Sequence, residues 1–558
     1  MSVRRFFSHG VTRGLLLVVL TFIAYAPVLR SGFVWDDAEY IRDNPLIKAS
    51  DGLRRFWCTT EFPDYYVLSN TSFWLEWRLW GNNPSGYHVT NILLHAVSAL
   101  LIWKLLQQLQ IPAAWMTALI FALHPVNVMS VAWISERKNV LSLLFTLLAA
   151  LAFLRWDDAG KRGWYGLALG TFALALLSKT AVVMLPVVLL LFVWWRHGRK
   201  RTANDTGSNC SRSACPPEAG KSRGHVVGGN GPLKPKLTLR LQILLGLVPF
   251  FMLSLVMGLV TIWFERQHGI VNEVVRAESV LARLLGAARA VWFYIGKTLW
   301  PVNLAVIYPR WQIDVGSVAA WIPLLALVAI VVVCWKFRAT WGRAPLFALG
   351  CFVAMLFPVL GFFNVAFMAY AFVADHWLYF SLTPMVALMC SAAMKQAERW
   401  NTRSLPTIAA PVVIVVLVLW TWQRTGVWRS EETLWQDTLA KNPAAWMAHN
   451  NLANALLAQG HAEAAAAEYR ETIRLKPNYG SAHYNFGILS FQRRDYDEAV
   501  NQFREAARLK PQSAEAHNNL GAALVNVGRT NDAIAEFETA VHLAPKWDEP
   551  RANLARLH

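Results

Sequence analysis

Apolar runs near residues 13–30, 88–106, 113–133, 139–155, 164–178, 180–195, 239–263, 318–335, 345–363, 377–394 and 406–422 recur through the first three quarters of this chain. Most approach the ~17 to 25 residues that a spanning helix needs. In lipid every backbone N–H and C=O must be satisfied within the protein, so a series of continuous apolar runs folds as a helical membrane bundle. With 558 residues, 55% hydrophobic and 16% charged, the chain is too apolar for one aqueous domain and too long for one core. The expected fold is all-α: a polytopic helical membrane domain over 1–423 with about 11–13 spans, a connector at 424–440, and a separate helical domain over 441–558.

The net charge of +18 invites a nucleic-acid reading, but its distribution argues against one. Basic residues gather in short segments beside apolar runs: Arg4 and Arg5; Lys161 and Arg162; Arg196, Arg199, Lys200 and Arg201; Lys336, Arg338 and Arg343; Lys395, Arg399 and Arg403. That is the positive-inside bias of cytoplasmic loops, without the aromatic interleaving of a nucleic-acid surface. It orients the chain with its N-terminus inside, so that residues 31–86 and 364–376 lie outside and residues 264–316 begin there. The loop at 196–238, rich in Gly, Ser, Pro, Lys and Arg, reads as a disordered cytoplasmic linker. Its Cys210 and Cys215 have no zinc-site partners, and the six cysteines form no disulfide framework. The expected location is a cell inner membrane, multi-pass, with the last run sending the C-terminal domain to the periplasmic or otherwise external side.

That C-terminal domain carries prolines at 443, 477, 511 and 545, each 34 residues from the next. In the same register fall Leu452, Phe486 and Leu520; Ala453, Gly487 and Gly521; Ala465, Ala499 and Ala533; Tyr469, Phe503 and Phe537. Small residues where paired helices cross, bulky ones between them and a proline ending the second helix make a tetratricopeptide pattern. Three full repeats and a C-terminal cap are predicted over 441–558. Asn451, Asn485, Asn519 and Asn553 share the period. Stacked repeats align them on one surface, where their amides can pair with the backbone of an acceptor peptide or bond the neighbouring repeat.

The candidate chemistry lies in the first external loop, where SGFVWDDAEYIRDNP places Asp36 and Asp37 just beyond the first span. Adjacent carboxylates on irregular backbone point differently, so one can take a proton while the other anchors the loop or a divalent ion. Capping the helix that begins near Ala38 is the structural alternative. Lys179, Arg137 and Lys138 are cations at the external edge, against the positive-inside bias, and suit binding of a phosphate. Glu136 pairs with Arg137 or Lys138 in this reading. His88, Asn91 and His95 fall on one helical face and, with His124, support the loop. Their ligand spacing is too loose to assign a metal, so a divalent ion is only a possible cofactor.

The segments FVWDDAEYIRDNP, YHVTNILLHAVSAL, FALHPVNVMSVAWISERKNVLSLLF, LLSKTAVVMLP and ADHWLYF, followed by tetratricopeptide repeats, resemble the transmembrane and tetratricopeptide-repeat O-mannosyltransferase-like family and its bacterial relatives. The resemblance covers almost the whole chain. It implies the GT-C glycosyltransferase fold, a polyprenyl-phosphate-linked sugar as donor, and a hydroxyl of a secreted or envelope protein as acceptor. It also implies site roles for Asp375, His376 and Tyr379, with His376 near the donor phosphate, and it likens the Asn451, Asn485, Asn519 and Asn553 series to the asparagine ladder of repeat-containing peptide glycosyltransferases. The chain departs from the family pattern at Asn127 and Met129, where a His and a Glu are usual, and at His376, where an Arg is usual. A catalytically inert membrane scaffold and a transporter are the competing classes. The sequence shows no internal duplication or mid-span charge path that favours the transporter.

Overall fold

The computed structural model describes residues 3–62, 65–196, 236–267, 278–400, 402 and 404–557, and among these there is no strand. The linker expected at 196–238, with Cys210 and Cys215, lies almost wholly outside the described residues. Two compact units form: Met1–Leu304 with Trp311–Gly426, and Ala305–Arg310 with Val427–His558.

In the first unit, six described helices are long and apolar enough to cross a membrane: Gly10–Arg30, Pro84–Gln108, Ile134–Ala159, Leu241–Phe264, Val318–Lys336 and Ala409–Arg429. A seventh appears if Ala114–Leu123 and Pro125–Ala132, bent by 50°, count as one. By this measure the count falls below the eleven to thirteen expected. The remaining apolar runs are helical but short, as in Arg162–Ser178, Thr180–Arg196 and Arg343–Val359, and at ~1.5 Å per residue 17 residues rise only about 26 Å. The bend has a local cause. Pro125 supplies no N–H and disfavours helical backbone at the preceding residue, so the helix stops at Leu123 and His124 turns extended.

Burial sorts the long helices. Only 6% of the best apolar window of Val318–Lys336 is buried, against 72% for Ile134–Ala159. The first faces lipid and the second is the central pillar. The pillar's first turn carries Arg137 and Lys138, so the candidate cations stand on the most firmly packed helix of the unit.

The second unit is a run of antiparallel helix pairs: Trp446–Ala458 with Ala462–Leu475, Gly480–Gln492 with Tyr496–Leu509, and Ala514–Asn526 with Thr530–Leu543, then Asp548–Ala555. One further helix, Glu431–Lys441, precedes them within the segment read as a connector. Ala465, Ala499 and Ala533 are wholly buried, and Leu520, Phe503 and Phe537 meet in one apolar cluster. Gly487 and Gly521 mark the crossings. A Cβ at either would come within 2.7 or 2.8 Å of the Phe503 or Phe537 ring, so a larger residue would push the helices apart.

Candidate active site

The acid pair sits on a tight turn whose central residue, Trp35, adopts φ +57°, a left-handed conformation that bulky residues rarely take. The indole is held there by parallel stacking on Trp133, with centroids 4.4 Å apart. Asp37 is fully buried. Its Oδ1 accepts from the Ser135 backbone N–H at 2.7 Å and the Ser135 hydroxyl at 2.6 Å, and its Oδ2 accepts from the Val34 N–H at 3.2 Å. It does not cap the following helical turn, Ala38–Arg42. Asp36 is half-buried; its Oδ1 accepts from the Trp133 indole N–H at 2.7 Å, and the Ser135 side chain also bonds it. Burial lifts its carboxyl to about 6 against the pull of the Lys138 charge; burial and then the Asp36 charge lift Asp37 to about 8. The two carboxyls are both raised, with Asp37 held up further by the charge of its neighbour.

Glu136, at the foot of the pillar helix, collects two ammonium groups: Lys138 at 3.3 Å and Lys179 at 3.2 Å. Lys138 also lies over the Tyr40, Tyr66 and Trp133 rings. Lys179 occupies an extended break between Ser178 and the short helix Thr180–Val182. Its backbone is fixed by Ser142, whose hydroxyl donates to the Ala175 and Lys179 carbonyls, while Ser69 donates to Ser178. Both lysines keep about 13% of their side chains exposed. They can therefore reach an anion from outside.

Arg137 does not share that access, which corrects its reading as a phosphate ligand. Fully buried, its guanidinium donates to Glu76 at 2.8 Å, the Tyr87 carbonyl at 3.0 Å, the Ser72 hydroxyl at 3.3 Å and the Asn91 side-chain oxygen. Its ion-pair partner is Glu76, not Glu136. The physical reason is that an Arg at the first turn of a buried helix must spend its donors inward. Asn91 uses its own amide to hold the Val131 and Trp133 carbonyls, so Arg137 positions Trp133 through Asn91.

His376 needs a second correction. It is buried between Trp133, Phe367 and Trp377, and its Nδ1 lies 3.4 Å from the Met129 sulfur. Burial, then the nearby lysine charges, hold its pKa down at about 3 although Glu136 pulls it up, so the ring is neutral and offers a phosphate no charge. Two of the three departures from the family pattern, Met129 and His376, thus touch each other. The third, Asn127, donates to the Phe121 carbonyl at 2.7 Å.

The other expected supports lie behind this layer. His88 packs beside the Ser31–Gly32 backbone at the root of the loop. His95 bridges the Tyr379 hydroxyl at 2.9 Å and the Ala122 carbonyl at 3.0 Å. His124 accepts from the Val126 N–H through Nδ1, so its Nε2 carries the proton given to the Thr298 carbonyl. Asp375 and Tyr379 are buried in the short helix Asp375–Phe380. Among the described residues no group of three His, Cys, Asp or Glu converges as a metal site. Trp133, Trp35, Ser135 and Glu76 were not singled out from sequence. The one available signal for Trp133 was its place two residues before Ser135 in the WISERK run beside the candidate cations.

In the second unit the asparagines bond mostly between repeats. Asn485 donates to Asn454 at 3.2 Å, Asn519 to the Tyr484 hydroxyl at 3.0 Å and Asn553 to Asn518 at 3.1 Å, whereas Asn451 accepts from its neighbour Asn450. Their partners are side chains, and all four amides remain half-buried at the surface.

Residues 71–208 match the family described as dolichyl-phosphate-mannose-protein mannosyltransferase, and 430–480, 489–528 and 514–546 match tetratricopeptide repeats. A Caenorhabditis elegans protein O-mannosyl-transferase is 25% identical over 84% of this chain and 63% of its own length. The human protein O-mannosyl-transferase TMTC1 is 26% identical over 82% of this chain and 54% of its own length, and human TMTC3 is 23% identical over 79% and 49%. The chain therefore spans about half to two thirds of the curated relatives it matches. With that motif set ahead of tetratricopeptide repeats, the chain is similar to these protein O-mannosyl-transferases over most of its length.

Proposed function

We propose that this multi-pass membrane protein is a glycosyltransferase that moves a sugar from a polyprenyl-phosphate donor to a hydroxyl of a secreted or envelope protein at the external face. The carrying observation is the meeting of a half-buried carboxylate, Asp36, with the Lys138–Glu136–Lys179 cluster at the foot of the pillar helix. In the reaction the acceptor oxygen attacks the anomeric carbon while the bond from that carbon to the phosphate oxygen breaks. The hydroxyl proton passes to Asp36, and the electron pair leaves with the polyprenyl phosphate. Lys138 and Lys179 face the charge that builds on the leaving group, and Glu136 holds both ammonium groups in place beforehand. Asp37, Trp35 and Trp133 fix the direction of the Asp36 carboxylate. The half-buried asparagines of the repeats offer the acceptor peptide their remaining hydrogen-bond capacity.

The test is transfer of radiolabelled sugar from polyprenyl phosphate to protein in membranes bearing Asp36→Asn. Loss of a positioned base lowers the rate by ~100-fold or more. Wild-type transfer by that variant at equal abundance removes the mechanism. Absence of transfer by the wild type, with acceptor protein still captured, favours the scaffold reading.

A further inference from the structure

One cavity of the first unit is lined by neither of the candidate acids. About 730 Å³ opens between the helices Pro84–Gln108, Arg137–Ala159, 185–196, Arg343–Leu356 and Leu382–Arg399. Its body is apolar, with Leu106, Leu147, Val188, Phe347, Ala387 and Leu388 typical of the wall. Among the described residues the charged groups that line it are Arg338, Arg343 and Lys395, with no acid.

These cations stand far from the candidate active site. Asn91 bonds Arg137 at one end of the Pro84–Gln108 helix, and Leu109, at the other end, lines the cavity. From Asn91 to Leu109 the helix rises about 27 Å. Trp195 ties the two far ends together by donating to the Leu109 carbonyl at 3.1 Å, and Arg343 donates to the Trp194 and Trp195 carbonyls there. That separation approaches the ~30 Å of a hydrocarbon core, so the cationic rim belongs to the opposite interface. Trp335 and Trp341, 56% and 55% exposed, flank Arg338 as tryptophans do at headgroup level. Asp157 and Asp158 lie at the same end but are paired with Arg196.

We propose that this cavity is a binding site for an anionic phospholipid, with an acyl chain between the helices and the headgroup phosphate on Arg338, Arg343 and Lys395. Charge complementarity selects an anionic headgroup over a zwitterionic one. The distance selects a phospholipid over the sugar donor, whose phosphate has to reach Lys138 and Lys179 at the other face. The site stands independently of the transfer reaction.

The experiment is native mass spectrometry of the full chain in detergent, titrated with phosphatidylglycerol or phosphatidylcholine of the same acyl chains. The wild type retains one phosphatidylglycerol in preference to phosphatidylcholine. The Arg338→Gln, Lys395→Gln double variant, which leaves Arg343 on its helix end, binds phosphatidylglycerol about 30-fold more weakly, two basic side chains' worth of headgroup attraction. Ala387→Trp, which fills the body and spares the rim, reduces retention of both lipids. Equal retention of the two lipids by the wild type, or undiminished phosphatidylglycerol binding in the double variant, overturns the proposal. So does displacement of the bound lipid by polyprenyl phosphate in a manner that depends on Arg338 and Lys395, which instead assigns the cavity to a donor.

Discussion

Asp36 and Asp37 are adjacent in sequence yet differ in their surroundings, and their proposed division of roles rests on that difference. Asp37 is wholly buried and held by the Ser135 and Val34 backbone N–H groups, whereas Asp36 is half-buried and held by the Trp133 indole. Since Lys138 lowers the Asp36 pKa, Lys138→Gln moves the rising limb of the transfer rate, centred near pH 6 in the wild type, to higher pH. A pH–rate profile of wild type and variant at saturating donor reads the shift; coincident limbs refute the coupling. Arg137 makes a different demand. Arg137→Met strands the Glu76 carboxylate in a buried place and costs about 3–5 kcal/mol, enough to deplete the protein, whereas adding Glu76→Gln returns much of it. Thermal melting of the purified variants checks this, and equal losses in single and double variants exclude the pair as the cause. The acids and Lys179 were legible in sequence because charge at the edge of apolar runs demands a reason. Their partners were not, because Trp133 lies 97 residues from Asp36 and Glu76 61 from Arg137. Nothing local marks residues joined at that separation, and for the same reason Arg137 looked like a phosphate ligand until its buried partners appeared.

At the scale of elements, the proline period carried the helix pairs of the repeats into view, while a second motif in the same register went unread. His449, His483 and His517 each bond through Nε2 to the carbonyl of the proline six residues earlier, Pro443, Pro477 or Pro511, at 2.9, 2.8 and 3.3 Å. Through Nδ1 each bonds Glu468, Gln502 or Glu536 on the paired helix at 2.5, 2.7 and 2.6 Å. A carbonyl and a carboxylate both accept, so His449 satisfies both partners only as imidazolium. Burial pushes the His449 pKa down, but the Glu468 hydrogen bond, the Pro443 carbonyl and the Glu468 and Glu471 charges outweigh it and leave it raised. A raised folded pKa means the stabilisation is fully present below the unfolded value near ~6.5 and fades as pH rises through the folded one. The repeats of the full chain accordingly melt at lower temperature at pH 8.5 than at pH 6, and His449→Gln flattens that slope. A slope identical in wild type and variant assigns it elsewhere. The membrane helices were legible as apolar runs. Their individual lengths were not, because hydropathy does not register the break at His124–Pro125 or the ends of the short helices.

For the whole molecule, orientation is the claim on which the proposed chemistry depends, since acids and repeats have to share a compartment. A phosphatase reporter fused after residue 440 is active and one fused after residue 215 is silent; the reverse pattern removes the acceptor-binding role of the repeats. The expected orientation rests on the basic clusters, because charge asymmetry acts on each short loop separately. The closing of the acid loop onto the pillar helix was not readable, since it depends on contacts between distant segments. The histidine clamp has a consequence for the length of the solenoid. Each clamp closes within one 34-residue unit, as Pro443, His449 and Glu468 do, and borrows no donor or acceptor from its neighbours. Whole units can therefore be gained or lost by duplication or deletion in register without stranding a clamp's buried polar atoms, so the reach of the repeat surface can change over evolutionary time while the chemistry of the membrane unit stays fixed.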